Sequence, residues 1–160
     1  MWVYIFYVIW LVVLAYVDYL TGYVYCRMCK VGLFPVLVCL VKLLTKYRWD
    51  ITPALVCIIA MVCFVRLLGL TGCIGGGDAD VFVITSVVNT LYLLEKGITG
   101  LFSLLLYNCI FIYLAMGLFI IRYFRKIDWK HMKMDRSYPL LPSVYMSTVI
   151  MGIVIQLLYI

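Results

Sequence analysis

Six apolar segments, at about 2–17, 31–45, 51–70, 78–94, 98–121 and 140–160, follow one another along the chain, separated by more polar breaks of which 122–139 is the longest. Uninterrupted apolar runs of about 17–25 residues are the signature of helices that cross a bilayer. The pattern therefore predicts an all-α bundle of about six transmembrane helices forming one domain over residues 1–160. The second and fourth segments are short for full crossings, so they either tilt little or extend into their flanking loops. Gly75-Gly76-Gly77, Gly97, Pro139 and Pro142 punctuate the breaks. Pro35 and Pro53 fall near helix beginnings, where a missing N–H costs least.

Composition agrees and excludes alternatives. The 160 residues are 68% hydrophobic and 12% charged, with a mean hydropathy of +1.16. A domain of this size cannot hide so much apolar surface from water. A large soluble domain, a nucleic-acid binder and a secreted disulfide scaffold are thereby excluded. Of the seven cysteines, Cys39, Cys57, Cys63 and Cys109 lie inside apolar runs, where cysteine behaves as a small hydrophobe. The first segment lacks a basic start and a small-residue cleavage site, so it reads as a retained helix.

The cations give the bundle a direction. With the N-terminus outside, nine of the thirteen Lys and Arg fall on inner loops: Arg27, Lys30, Arg66, Arg122, Arg125, Lys126, Lys130, Lys133 and Arg136. Positive residues accumulate on the cytoplasmic side, which predicts both termini outside. Within this frame Asp50, Glu95, Asp128 and Asp135 are solvated loop charges beside basic residues.

Asp18 and Asp78 differ. Asp18 directly follows the first apolar run and Asp78 opens the fourth, and both fall on the inner side. A carboxylate at a membrane boundary marks a functional site by default, and two at one depth on different helices can meet. Asp78 alone equally suits a helix N-cap. Asp18, at the C-terminal end of its helix, opposes the dipole there and has no capping role to explain it. Two close carboxylates cannot both ionise easily, so the pair shares a proton. One member can then take a proton from water while the other donates to a carbonyl oxygen, the arrangement of aspartic proteases. Three successive glycines permit unusual backbone angles and close backbone approach, suiting an extended substrate strand beside the carboxylates.

Gly75-Gly76-Gly77-Asp78, followed by Ala79 and an apolar helix, resembles the GxGD motif of membrane aspartyl proteases. It is similar in particular to the type IV prepilin peptidases and archaeal preflagellin peptidases, where another Asp lies at the cytoplasmic end of an earlier helix in a D-x5-I-P-like context. Asp18-Tyr-Leu-Thr-Gly-Tyr-Val24 fits that pattern, with Tyr25 where proline is common. The resemblance implies Asp18 and Asp78 as the catalytic pair, Gly75 and Gly77 as backbone support, and no cofactor. It also implies a prepilin or pilin-like precursor as substrate, cut at the cytoplasmic face of a prokaryotic plasma membrane.

Two departures from the family matter. Where the bacterial pattern has Lys two places after the catalytic Asp, this chain has Asp80. A third acid would add to the repulsion within the pair, although on a helix Asp80 points roughly 200° away at about 100° per residue. Asp80 is a candidate contact for a basic substrate leader, or else a solvated boundary acid. The long bacterial members also carry an insert with paired CxxC zinc motifs and N-methylate the product. Here Cys26-Arg-Met-Cys29 stands alone and His131 does not complete a site. The expectation is peptidase activity without methyltransferase activity, and no metal.

The remaining features have simpler readings. The segment 122–136 mixes cations with aromatics, which suits anionic lipid headgroups rather than nucleic acid. His131 has no nucleophile to serve as a base. Thr85, Ser86, Asn89 and Thr90 line up in the fourth segment, as a half-channel or as helix–helix hydrogen bonds. The competing functional classes are a small proton or cation transporter using Asp18, Asp78 and Asp80, and an inactive pilus-assembly scaffold.

Overall fold

A computed structural model of the chain describes residues 2–24, 26–46, 51–72, 74–124 and 138–158. Among these residues every regular element is a helix: α1 (Trp2–Thr21), α2 (Cys26–Val31), α3 (Leu33–Lys46), α4 (Ile51–Leu70), α5 (Gly76–Glu95), α6 (Leu101–Tyr123) and α7 (Leu141–Leu158). Five of them, α1, α4, α5, α6 and α7, are long and apolar enough to cross a membrane. The chain is a helical membrane bundle.

The second expected crossing takes a different form. The expected helix at 31–45 is present as the 14-residue α3, but it is preceded by the six-residue α2 and a break at Gly32. At about 1.5 Å per residue α3 covers only about 21 Å, short of a bilayer core of about 30 Å. A tertiary contact underlies the break. The ring of Trp10 presses on Gly32 so closely that an added Cβ would meet it at 2.3 Å, and the Trp10 indole N–H donates to the Met28 carbonyl at 2.9 Å. Only glycine fits against that ring, and the helix turns there.

Side-chain contacts fix which helix ends lie together. Arg66 in the last turns of α4 pairs with Asp80 in the first turns of α5, and Tyr123 at the end of α6 packs on Tyr138 just before α7. Arg122 sits 5.5 Å over the ring of Tyr19 near the end of α1. The ends of α1, α4 and α6 and the beginnings of α5 and α7 therefore share one end of the bundle. At the other end Tyr4 of α1 stacks on Tyr92 of α5, with centroids 4.5 Å apart. The segment from Gly22 to Lys46, broken as it is, must run from the first end to the second to reach α4.

The centre is α5. Of its span 72% is buried, against 22–39% in the other four, and it is also the least apolar of the five. These two facts belong together: helices facing lipid must be apolar on their outer faces, whereas an enclosed helix can carry polar groups that its neighbours satisfy. Thr85, Ser86, Asn89 and Thr90 are all buried. The outer helices turn Ile9, Leu67, Tyr113 and Leu157 outward.

Candidate active site

The helix ends that gather at one end of the bundle enclose a cavity of about 250 Å³, lined by Asp18, Gly22–Val24, Gly75–Asp78 and Tyr138. Its polar chemistry comes from two carboxylates delivered by different helices, Asp18 in the last turn of α1 and Asp78 in the first turn of α5. Both helices run further than the apolar pattern suggests, α1 to Thr21 and α5 from Gly76, so each Asp lies within its helix instead of beside it. The pair is close enough for the two charges to interact.

Asp18 is 3% exposed. Its Oδ2 accepts the backbone N–H of Leu141 at 3.0 Å, and the backbone of Leu140 also hydrogen-bonds to the carboxyl. This corrects the expectation that Asp18 has no capping role. It caps α7, from 123 positions away in sequence, and supplies the negative charge that a helix N-terminus favours. The first helix is brought to a stop immediately afterwards. Gly22 adopts φ +67° and its N–H returns to the Asp18 carbonyl at 2.8 Å, the left-handed C-terminal turn for which glycine is best suited.

Asp78 is half-buried. Its carboxyl turns back to the backbone of Gly75, the residue that precedes α5 with extended φ −67° and ψ 153°. Asp78 is thus not the residue at the N-cap position. The glycines do not serve unusual backbone angles, since the left-handed glycines among the described residues are Gly22, Gly72 and Gly97. They serve close approach. An added Cβ at Gly75 would stand 3.0 Å from Asp78 Oδ2, and one at Gly77 would stand 3.0 Å from Val24 Cβ and 3.3 Å from the Val24 carbonyl oxygen. At Gly76 a Cβ would meet nothing within 4 Å.

Asp80 lies outside the cavity lining. Its Oδ1 takes an ion pair at 2.7 Å from Arg66 Nη2, with both side chains partly in solvent. The sequence offered no direct sign of this partner, 14 positions away on another helix. Nor did it single out Tyr138, which lines the cavity and packs on Tyr123 with centroids 4.8 Å apart; its place just before a Pro-flanked helix start is the only available signal. Asp50, Asp128, Asp135, His131 and residues 125–136 of the basic segment lie outside the described residues, as does the side chain of Cys26. Among the described residues no group of three or more His, Cys, Asp or Glu comes together as metal ligands do.

Phe82, one turn along α5 from Asp78, is buried against Phe111 of α6 in an edge contact with centroids 6.1 Å apart. The polar residues of α5 begin past it, where Thr85 Oγ1 accepts the Tyr7 hydroxyl at 2.8 Å. Comparison of the chain with family models, with curated proteins and with solved structures finds no match.

Proposed function

We propose that the chain is a membrane aspartyl endopeptidase that removes the leader of a prepilin or pilin-like precursor at the cytoplasmic face of a prokaryotic plasma membrane, without methyltransferase activity. The observation that carries this reading is the shared cavity: Asp18 and Asp78, on separate helices, line one space together with Gly75–Gly77. The substrate class comes from the likeness of Gly75-Gly76-Gly77-Asp78 and of Asp18 to Val24 to the GxGD family.

In this mechanism the apolar helix of the precursor stays in lipid while its leader unwinds across the Gly75–Gly77 backbone, presenting the scissile carbonyl to a water between the two carboxyls. One carboxylate takes a proton from that water as its oxygen bonds to the carbonyl carbon. The other carboxyl donates its proton to the carbonyl oxygen. Collapse of the tetrahedral intermediate breaks the C–N bond, with a proton passing from the pair to the departing nitrogen. The two groups act and titrate as a unit. Asp18, fixed by the α7 backbone, supplies the rigid half, as a site that must hold its geometry requires. Asp80, neutralised by Arg66, stands aside.

Co-expression with each pilin-like precursor of the same genome tests the reading on a gel. Leader removal by wild type, lost in Asp18→Asn and in Asp78→Asn at equal membrane levels, supports it. Processing that survives either substitution overturns the aspartyl mechanism.

A further inference from the structure

The chain contains two asparagines, Asn89 and Asn108. Both are buried in the bundle, on α5 and α6, at 1% and 0% exposure. Asn108 Nδ2 donates to Thr90 Oγ1 and to the Leu104 carbonyl, each at 3.0 Å, and Thr90 in turn donates to the Ser86 carbonyl at 2.8 Å. Cys57 of α4 touches the same group, with its Sγ 3.8 Å from Thr90 Oγ1.

Around this one turn of α5 three buried side-chain atoms have no hydrogen-bond partner among the described residues: Ser86 Oγ, Asn89 Nδ2 and Asn108 Oδ1. Ser86 and Asn89 are three apart on the helix and so neighbours on its surface, and Asn108 reaches the turn through Thr90. Unpaired polar groups in an apolar interior are costly and rare. Their chemistry is complementary. Asn89 Nδ2 only donates, Asn108 Oδ1 only accepts, and the Ser86 hydroxyl does either. A metal cation needs oxygen acceptors and would face the Asn89 N–H groups; an apolar ligand would leave all three atoms unpaired. Water, with two donors and two acceptor sites, matches the set, and buried waters make about three hydrogen bonds of this kind.

We propose that the bundle holds a structural water-binding site in which one buried water accepts from Asn89 Nδ2, donates to Asn108 Oδ1 and bonds to Ser86 Oγ. Along α5 the site lies past Phe82, which is buried against Phe111 and stands one turn from both Asp78 and Ser86. It ties α5 to α6 at the place where Cys57 also brings in α4. It does not depend on the peptidase reading.

Asparagine labelling gives a direct test, because [15N]asparagine introduces only two carboxamides into the whole protein. The full chain in lipid bilayers is measured by water-edited solid-state NMR, in which side-chain signals grow only as polarisation arrives from water. The expected result is early transfer to both carboxamides, with the Asn89 signal reduced at least threefold in Ser86→Ala and in Asn108→Leu. Asn108→Leu also assigns the remaining peak. Polarisation of Asn89 arriving only from lipid chains, or only from the Asn108 carboxamide, overturns the site, as does transfer unchanged in both variants. Should a variant fail to fold, the wild-type spectrum alone decides between water and no water.

Discussion

Alanine substitution of the three consecutive glycines separates close approach from conformational freedom. At Gly75 the new Cβ would lie 3.0 Å from Asp78 Oδ2, roughly 0.4 Å inside ordinary van der Waals contact. The carboxylate is the free end of a side chain and can turn aside, so folding survives but the position of the reacting oxygen does not. Misplacement by about 1 Å can cost about a hundredfold in rate. A shift of roughly half that size corresponds to about tenfold, or about 1.4 kcal/mol in the barrier. At Gly77 the obstacles are Val24 Cβ and the Val24 carbonyl, stiff parts of the cavity wall. Gly77→Ala therefore loses activity and also about 1 kcal/mol of stability through overpacking. Gly76→Ala meets nothing within 4 Å, so it folds at least as well as wild type and gains up to about 1 kcal/mol from reduced chain freedom. Cleavage rates and thermal melts of the purified variants in proteoliposomes give the comparison. Full activity in Gly75→Ala together with unchanged stability in Gly77→Ala would refute the close-approach argument.

Substitutions at three further positions have expected outcomes. Asp18→Asn keeps a side-chain oxygen for the Leu141 N–H, so its melting temperature stays near wild type, whereas Asp18→Ala loses the α7 cap and about 1 kcal/mol; neither cleaves, and equal stability of the two variants in thermal melts would count against the cap. Asp80→Asn breaks a partly exposed ion pair with Arg66, so denaturant unfolding should register less than about 1 kcal/mol and leader assays should register cleavage within twofold of wild type whatever the leader's charge; a loss confined to basic leaders would return Asp80 to substrate binding. Tyr7→Phe removes the 2.8 Å bond to Thr85 deep in the bundle, lowering stability by about 1 kcal/mol with kcat unchanged, and a large fall in kcat would tie this contact to the chemistry.

What the linear pattern carries, and what it omits, follows from the range of the forces involved. The long apolar runs of α1, α4, α5, α6 and α7 were legible because lipid imposes its requirement residue by residue. That Asp18 and Asp78 fall at one end of the bundle was legible for the same reason, since each lies where an apolar run stops or starts. The broken α2–α3 segment was not, because the break depends on Trp10 lying against Gly32. No local pattern reveals that contact. The cap that Asp18 places on α7 was equally hidden, as its partner is a backbone N–H 123 positions on. The glycines were visible as a motif, and of the two roles the motif allows, unusual backbone angles and close approach, the fold uses the second: their angles are ordinary, and the neighbouring Asp78 and Val24 supply the constraint. Asp80 reads in the sequence as a leader contact or a solvated boundary acid, and its ion pair with Arg66 depends on how α4 and α5 pack.

The central claim is that Asp18 and Asp78 together activate one water in one cavity. Purified protein in proteoliposomes, a synthetic pilin-like precursor and single-turnover rates test it most directly, with wild type beside Asp18→Asn and Asp78→Asn at matched thermal stability. The expected result is cleavage at the leader junction by wild type and none above background by either variant. Cleavage by either purified, folded variant at a rate near wild type would contradict it.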